Sequence, residues 1–139
     1  EYIGNWESPQ HSVARKYPLL LVTPHSRKRI HSTHHNIPWL RELEPHTIEI
    51  SFADAQARGI KYGDQVKVYN DIGTLVITAK VSEQIMPGVV CIYQGAWYQP
   101  DEKGLDWGGC VNVLCKDTCS PGEAAATNAV LVEVTKWQV

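Results

Sequence analysis

This sequence holds no apolar run that could cross a membrane as a helix. Its longest aliphatic stretch, Leu19-Leu20-Leu21-Val22, falls far short of the roughly 20 residues such a span needs. It fits a buried strand, and no direct membrane insertion is expected. An excess of basic charge is missing too. Lys and Arg total 13 against 15 Asp and Glu, a formal charge of −2, so the electrostatic footprint of a general nucleic-acid binder is absent. A small anion needs only a local nest of donors and stays compatible. The 4 cysteines are not spaced for a metal. Cys110, Cys115 and Cys119 follow a C-x4-C-x3-C pattern, with Cys91 distant, which matches neither a closed zinc site nor an iron–sulfur cluster. Buried or idle thiols are expected in a domain of this length. Also lacking is a nucleophile–base arrangement: Ser120-Pro121-Gly122 stands outside a strand-to-helix elbow, and the carboxylates are scattered. No catalytic residue and no metal ligand is therefore assigned.

What is present is the composition of one ordinary globular domain, 43% hydrophobic and 20% charged over 139 residues. Residues 1–17 carry no sustained periodicity and read as a linker or arm; residues 18–139 read as the domain. Its pattern is mostly β. Residues 19–23 form a continuous apolar strand suited to burial on both faces. Residues 47–52 alternate, with Ile48, Ile50 and Phe52 on one face, and 53–58 (ADAQAR) form a short helix stopped by Gly59. Val66 and Val68 begin a hairpin that turns at 70–73 and returns with Leu75, Ile77, Ala79 and Val81 on one face. Pro87-Gly88 launches a strand over 89–93, and Val130, Val132 and Val134 mark a last one. Short strands, turn signals and little helix predict a β-barrel or sandwich.

Two long loops interrupt this scheme, and loops of such length in a compact domain tend to be functional. The first, residues 23–36, precedes a short helix at Pro38-Trp39-Leu40 that Asn36 is placed to cap. It carries Arg27, Lys28 and Arg29, then His31-Ser32-Thr33. Guanidinium, hydroxyl and backbone N–H donors next to a buried strand suit a phosphate, although an isolated basic run is by itself a solvated turn. His25, His31, His34 and His35 match no closed tetrahedral metal site. The second loop, residues 95–123, holds Trp97, Tyr98 and Trp107 among glycines. Such rings can form a wall for a heterocycle or simply cap a barrel end, and both readings stand. Asn112 and Asn128 each offer a donor and an acceptor for the edge of a heterocycle.

The motifs taken in order carry a resemblance. They are Arg29-Ile30-His31-Ser32-Thr33, Asn36-Ile37-Pro38-Trp39-Leu40-Arg41-Glu42, Asp54-Ala55-Gln56-Ala57-Arg58-Gly59-Ile60 and Gly63-Asp64 before the Val66 strand. Met86-Pro87-Gly88-Val89-Val90, Gly95-Ala96-Trp97-Tyr98, Gly109-Cys110-Val111-Asn112-Val113-Leu114 and Thr127-Asn128 follow. Together, over residues 18–135, they resemble the C-terminal molybdopterin-dinucleotide-binding domain of the dimethyl sulfoxide reductase family, nearest to the anaerobic reductase catalytic subunits.

That resemblance implies a mainly β fold, a six-stranded double-psi β-barrel with short helices and long loops. It implies a bis(molybdopterin guanine dinucleotide) cofactor with molybdenum, shared with upstream domains, and oxygen-atom-transfer reduction of an S-oxide or N-oxide. Cofactor contacts carry over to Thr23, His25, Ser26, Arg29, His31, Ser32 and Thr33, and to Trp97, Tyr98, Asn112 and Asn128. The molybdenum ligand and any iron–sulfur cluster are expected in upstream domains, and an electron-transfer iron–sulfur subunit is the expected further partner. Members are often exported and associated with membrane complexes. One departure is visible: Cys115 stands where relatives tend to have threonine, and residues 116–126 are shorter than the family pattern.

The competing reading is a double-psi barrel acting as a binding or adaptor module without a redox role, which predicts that the residue 29–33 loop and Asn112 are dispensable. A self-processing barrel of the aspartate decarboxylase kind is excluded, because the chain has no Gly-Ser dipeptide.

Overall fold

The structure, a computed structural model, describes residues 10–117, 119 and 129–138. Six strands close into a barrel: β1 (Leu19–Val22), β2 (Thr47–Ser51), β3 (Gln65–Tyr69), β4 (Thr74–Ser82), β5 (Val89–Ile92) and β6 (Ala129–Lys136). Their order around the ring is β1-β5-β2-β4-β3-β6. β1 runs parallel to β5, and β2 parallel to β4; the other neighbours are antiparallel. This interleaving of two parallel pairs is the double-psi barrel that the resemblance implies.

The core follows from the period-2 pattern. Ile48, Ile50, Val66, Val68, Leu75, Val132 and Val134 are all at 0% exposure. β1 buries Leu19 and Leu21, while Leu20 and Val22 are half-buried, so the expected burial on both faces holds for one face only. In β4 the outward Val76 is buried as well, and its N–H donates to the Asp106 carbonyl of the second loop at 2.8 Å. The β3–β4 hairpin turns where Asn70 Oδ1 accepts from Ile72 N (2.9 Å) and Gly73 N (3.1 Å).

Two expectations at helix starts are corrected. Phe52 does not continue the buried face of β2; it is 62% exposed and opens α2 (Phe52–Ala57), the helix that follows α1 (Pro38–Leu43) in the chain. The cause is Ser51, whose Oγ accepts from Asp54 N at 3.1 Å and ends the strand as an N-cap. Asn36 does not cap α1 (Pro38–Leu43). Ile37 occupies the N-cap without a side-chain bond, and Pro38 sets the first turn with its fixed φ. Sequence patterns also missed two 3-10 turns, Ser12–Arg15 and Val111–Leu114. Next to the first of these, Tyr17 is buried and its hydroxyl donates to Asp71 Oδ1 at 2.6 Å, so the described end of the arm lies on the β3–β4 turn.

Candidate functional site

Parallel pairing decides where the two long loops go. Leu20 pairs with Val89 and Val22 with Cys91, so β1 and β5 leave the barrel at the same end and their following loops emerge side by side. β2 is antiparallel to β5, with Ile48 opposite Ile92, so the residue before β2, His46, arrives at that end too.

The loops are joined directly. Gln94 N donates to the Pro24 carbonyl at 3.1 Å, and its side-chain amide lies 2.9 Å from the His25 ring. Trp97 Nε1 donates to the Ser32 carbonyl at 2.8 Å. Gly95, at φ 91°, sits so close to His31 that a Cβ there would stand 2.1 Å from the His31 carbonyl oxygen; only glycine permits this approach. The second loop is organised from within by Asp106, which is fully buried. Its Oδ1 accepts from Gln99 N (2.8 Å) and Gly108 N (2.9 Å), and its Oδ2 from Cys110 N (2.6 Å).

At the centre of the junction lies the Arg29 guanidinium. It donates to His35 Nδ1 (2.8 Å), His46 Nδ1 (3.3 Å), the Gln94 carbonyl (3.1 Å) and the Tyr93 carbonyl (3.4 Å). Arginine can only donate, so both Nδ1 atoms must be unprotonated acceptors. His46 Nε2 then carries its proton and donates to the Gly109 carbonyl at 3.0 Å. Burial and the neighbouring Arg29 push both imidazoles down to about 4, which keeps them neutral at ordinary pH. Burial also works against the Arg29 charge, and its Nε is buried with no hydrogen-bond partner.

The residues singled out from the sequence fall into distinct places. Thr23 and Ser26 are buried at the base of the first loop; Ser26 Oγ donates to Glu44 and accepts from Lys28 N at 3.0 Å. His25 and His31 are exposed, their rings 4.6 Å apart. Ser32 and Thr33 are exposed too, as are Trp97 (45%), which bonds the Ser32 carbonyl, and Tyr98 (54%). Arg29, half-buried, turns its guanidinium in toward the junction. Asn112 is exposed on the Val111–Leu114 turn, which packs elsewhere: Asn70 Nδ2 donates to the Leu114 carbonyl at 2.8 Å. Asn128 lies outside the described residues. Sequence reasoning missed His46, Gln94 and Asp106. A lone histidine ahead of an alternating strand gives no local signal; only the β2–β5 register brings it to the loops.

Among the described residues no group of three or more His, Cys, Asp or Glu side chains is placed to hold a metal ion. A cavity of about 440 Å³ is lined by apolar groups of α2 and its surroundings, including Phe52, Ile60, Tyr62 and Val81. The joined loops instead offer an open face of donors and rings.

Comparison with known proteins adds a family match. The Molydopterin dinucleotide binding domain family matches residues 19–130. The chain is 44% identical over 135 residues to dimethyl sulfoxide reductase DmsA of Escherichia coli K12, covering 95% of this chain and 17% of that protein. It is 36% identical over 154 residues to the pyrogallol hydroxytransferase large subunit of Pelobacter acidigallici, covering 98% and 18%. The fold is similar to that of acetylene hydratase from Pelobacter acetylenicus, with a TM-score of 0.75 at 20% identity, over 91% of this chain and 19% of that one. The chain thus spans about a sixth of the length of the curated relatives it matches.

Proposed function

This chain belongs to the molybdopterin dinucleotide-binding domain family, and from that premise we propose that it is the C-terminal, cofactor-binding domain of a molybdenum oxidoreductase catalytic subunit. The reaction in this reading is oxygen-atom-transfer reduction of an S-oxide or N-oxide. The cofactor is bis(molybdopterin guanine dinucleotide), shared with domains outside this chain; an electron-transfer iron–sulfur subunit is the partner of the whole protein. The observation that carries the reading is the family match across residues 19–130, a span that includes both joined loops.

The residues present fit such a group. Arg29 is a cation whose hydrogen-bond partners are all uncharged, with Glu44 as the nearby carboxylate, and its buried Nε has no partner. Ser32 and Thr33 supply hydroxyls, His25 and His31 imidazoles, and Trp97 and Tyr98 flat faces on the same surface. Thr23 and Ser26 hold the loop base in shape. Asn112 and Asn128 remain the groups proposed to read a heterocycle edge. When bound, the molybdenum centre supplies the two-electron redox chemistry. This chain's share is to bind, to orient and to exclude water from one side.

The test is an NMR chemical-shift titration of the 139-residue chain with GMP, GDP and a pterin at fixed salt. Shifts at residues 29–33, Trp97 and Asn112, larger for GDP than for GMP, are expected. Shifts confined to the α2 side, or none at millimolar ligand, would overturn the reading.

A further inference from the structure

We infer that His46 is a positioning residue that locks the two ligand loops into one surface, its imidazole holding Arg29 of the first loop on one nitrogen and Gly109 of the second on the other. The inference rests on the cofactor reading for its functional meaning, but its geometry stands alone. His46 belongs to neither loop. It is delivered by the start of β2 and reaches Arg29 Nη2 at 3.3 Å through Nδ1, and the Gly109 carbonyl at 3.0 Å through Nε2. Arg29 in turn holds the Tyr93 and Gln94 carbonyls, where the second loop begins. One imidazole therefore fixes the second loop at two places, its start at residues 93–94 through Arg29 and its middle at residue 109 directly.

The packing leaves no slack in this arrangement. Gly109 has φ 72°, and a Cβ on it would lie 2.8 Å from both Cδ2 and Nε2 of the His46 ring. The same ring sits 5.8 Å from that of His35, edge to face, and His35 lies 6.2 Å from the Trp97 ring. A chain of contacts thus runs from His46 to the exposed Trp97 surface, which is itself bonded to Ser32.

The bond directions make the role specific to a neutral imidazole. Nδ1 must accept from a guanidinium while Nε2 donates to a carbonyl, and no other side chain presents an acceptor and a donor at these two positions. Protonation of His46 would set an N–H of Nδ1 against the Arg29 N–H. The groups facing the ring are Arg29 and Arg41, which disfavour its cationic form, and Asp106 and the Gly109 carbonyl, which favour it.

Two variants separate the halves of the bridge. H46N keeps an acceptor near the Nδ1 position and loses the reach to Gly109. H46Q keeps a donor near the Nε2 position and loses the acceptor for Arg29. H46L removes both. The reporter is the Trp97 indole N–H, which marks closure of the loops on the Ser32 carbonyl and makes no contact with residue 46. Its hydrogen exchange, read by NMR in the ligand-free chain, should quicken partly in H46N and H46Q and most in H46L. The His46 ring nitrogens of the wild type should show the Nε2–H tautomer. GDP affinity should fall about tenfold in H46L, the cost of one buried charge-assisted bond, with partial recovery in H46Q or H46N. Unchanged Trp97 exchange in the two half-variants, each verified as folded by circular dichroism, would overturn the inference. A wild type that fails to bind GDP would count against the cofactor reading alone, because the Trp97 exchange decides this point without ligand.

Discussion

Arg29 shows how one side chain can be legible in kind and illegible in posture. Its place in a basic, hydroxyl-rich loop suggests an anion contact, and the residue type is right for one. What the sequence could not show is that the guanidinium turns inward to His35, His46 and two carbonyls, because those partners come from three separate stretches of chain. The two imidazoles make the cluster sensitive to acid. Their folded values near 4 lie below the ordinary 6.5, chiefly through burial and then through Arg29. Between these values the unfolded chain binds protons that the folded chain does not, so stability rises with pH through this window and is lost as pH falls from about 6.5 toward 4. Between pH 6.5 and 5, before most carboxylates titrate, the thermal midpoint of the wild type should therefore drop. H46Q, with one imidazole fewer, should show a shallower slope, and H46Q combined with His35→Asn a nearly flat one. Equal slopes for all three chains would show that neither histidine is buried neutral.

At the scale of elements, the strands were readable because their alternation is strong, and errors gathered where a single polar side chain decides the local path. Ser51 looks like an outward strand residue and is in fact the cap that turns the chain into α2. Phe52, in phase with Ile48 and Ile50, is consequently exposed. The loop after β5 carries the same lesson at larger size. Its tryptophans and glycines mark it as special, yet the residue that folds it is Asp106, which no spacing rule picks out. Three backbone N–H groups converge on that one buried carboxylate. Asp106→Asn replaces an acceptor oxygen by an amide NH2 facing N–H donors. A loss of about 2 kcal/mol is expected from bonds to a charged group and the donors left unmade. Urea unfolding gives that number directly. Because Val76 also hangs on the Asp106 backbone, amide exchange should quicken at Val76, Gly108 and Cys110 together. Faster exchange at Cys110 alone would mean that Asp106 caps a local turn and does not organise the loop.

For the whole molecule, the ring order ties remote segments together: β1 to β5 and β6, and β2 to β4 and β5. A family pattern can imply that order, whereas alternation alone leaves barrel and sandwich equally open. Such non-local pairing predicts slow folding, in milliseconds to seconds, and it gives no strand that can leave without opening the ring. The loops are fastened to this ring by Arg29, His46 and Asp106, so at neutral pH they should melt with it. Far-UV circular dichroism follows the strands, while two of the five tryptophans, Trp97 and Trp107, report from the second loop. The two urea transitions should coincide at pH 7. At pH 4.5 the imidazoles approach their folded values near 4 and cationic forms that oppose Arg29 begin to populate, so the loop fastening weakens while the apolar core of Leu19, Ile48, Val66 and Val132 is untouched. Fluorescence should then change at lower urea than circular dichroism. Coincident curves at both pH values would mean that the barrel, and not the histidine–arginine cluster, holds the loops in place.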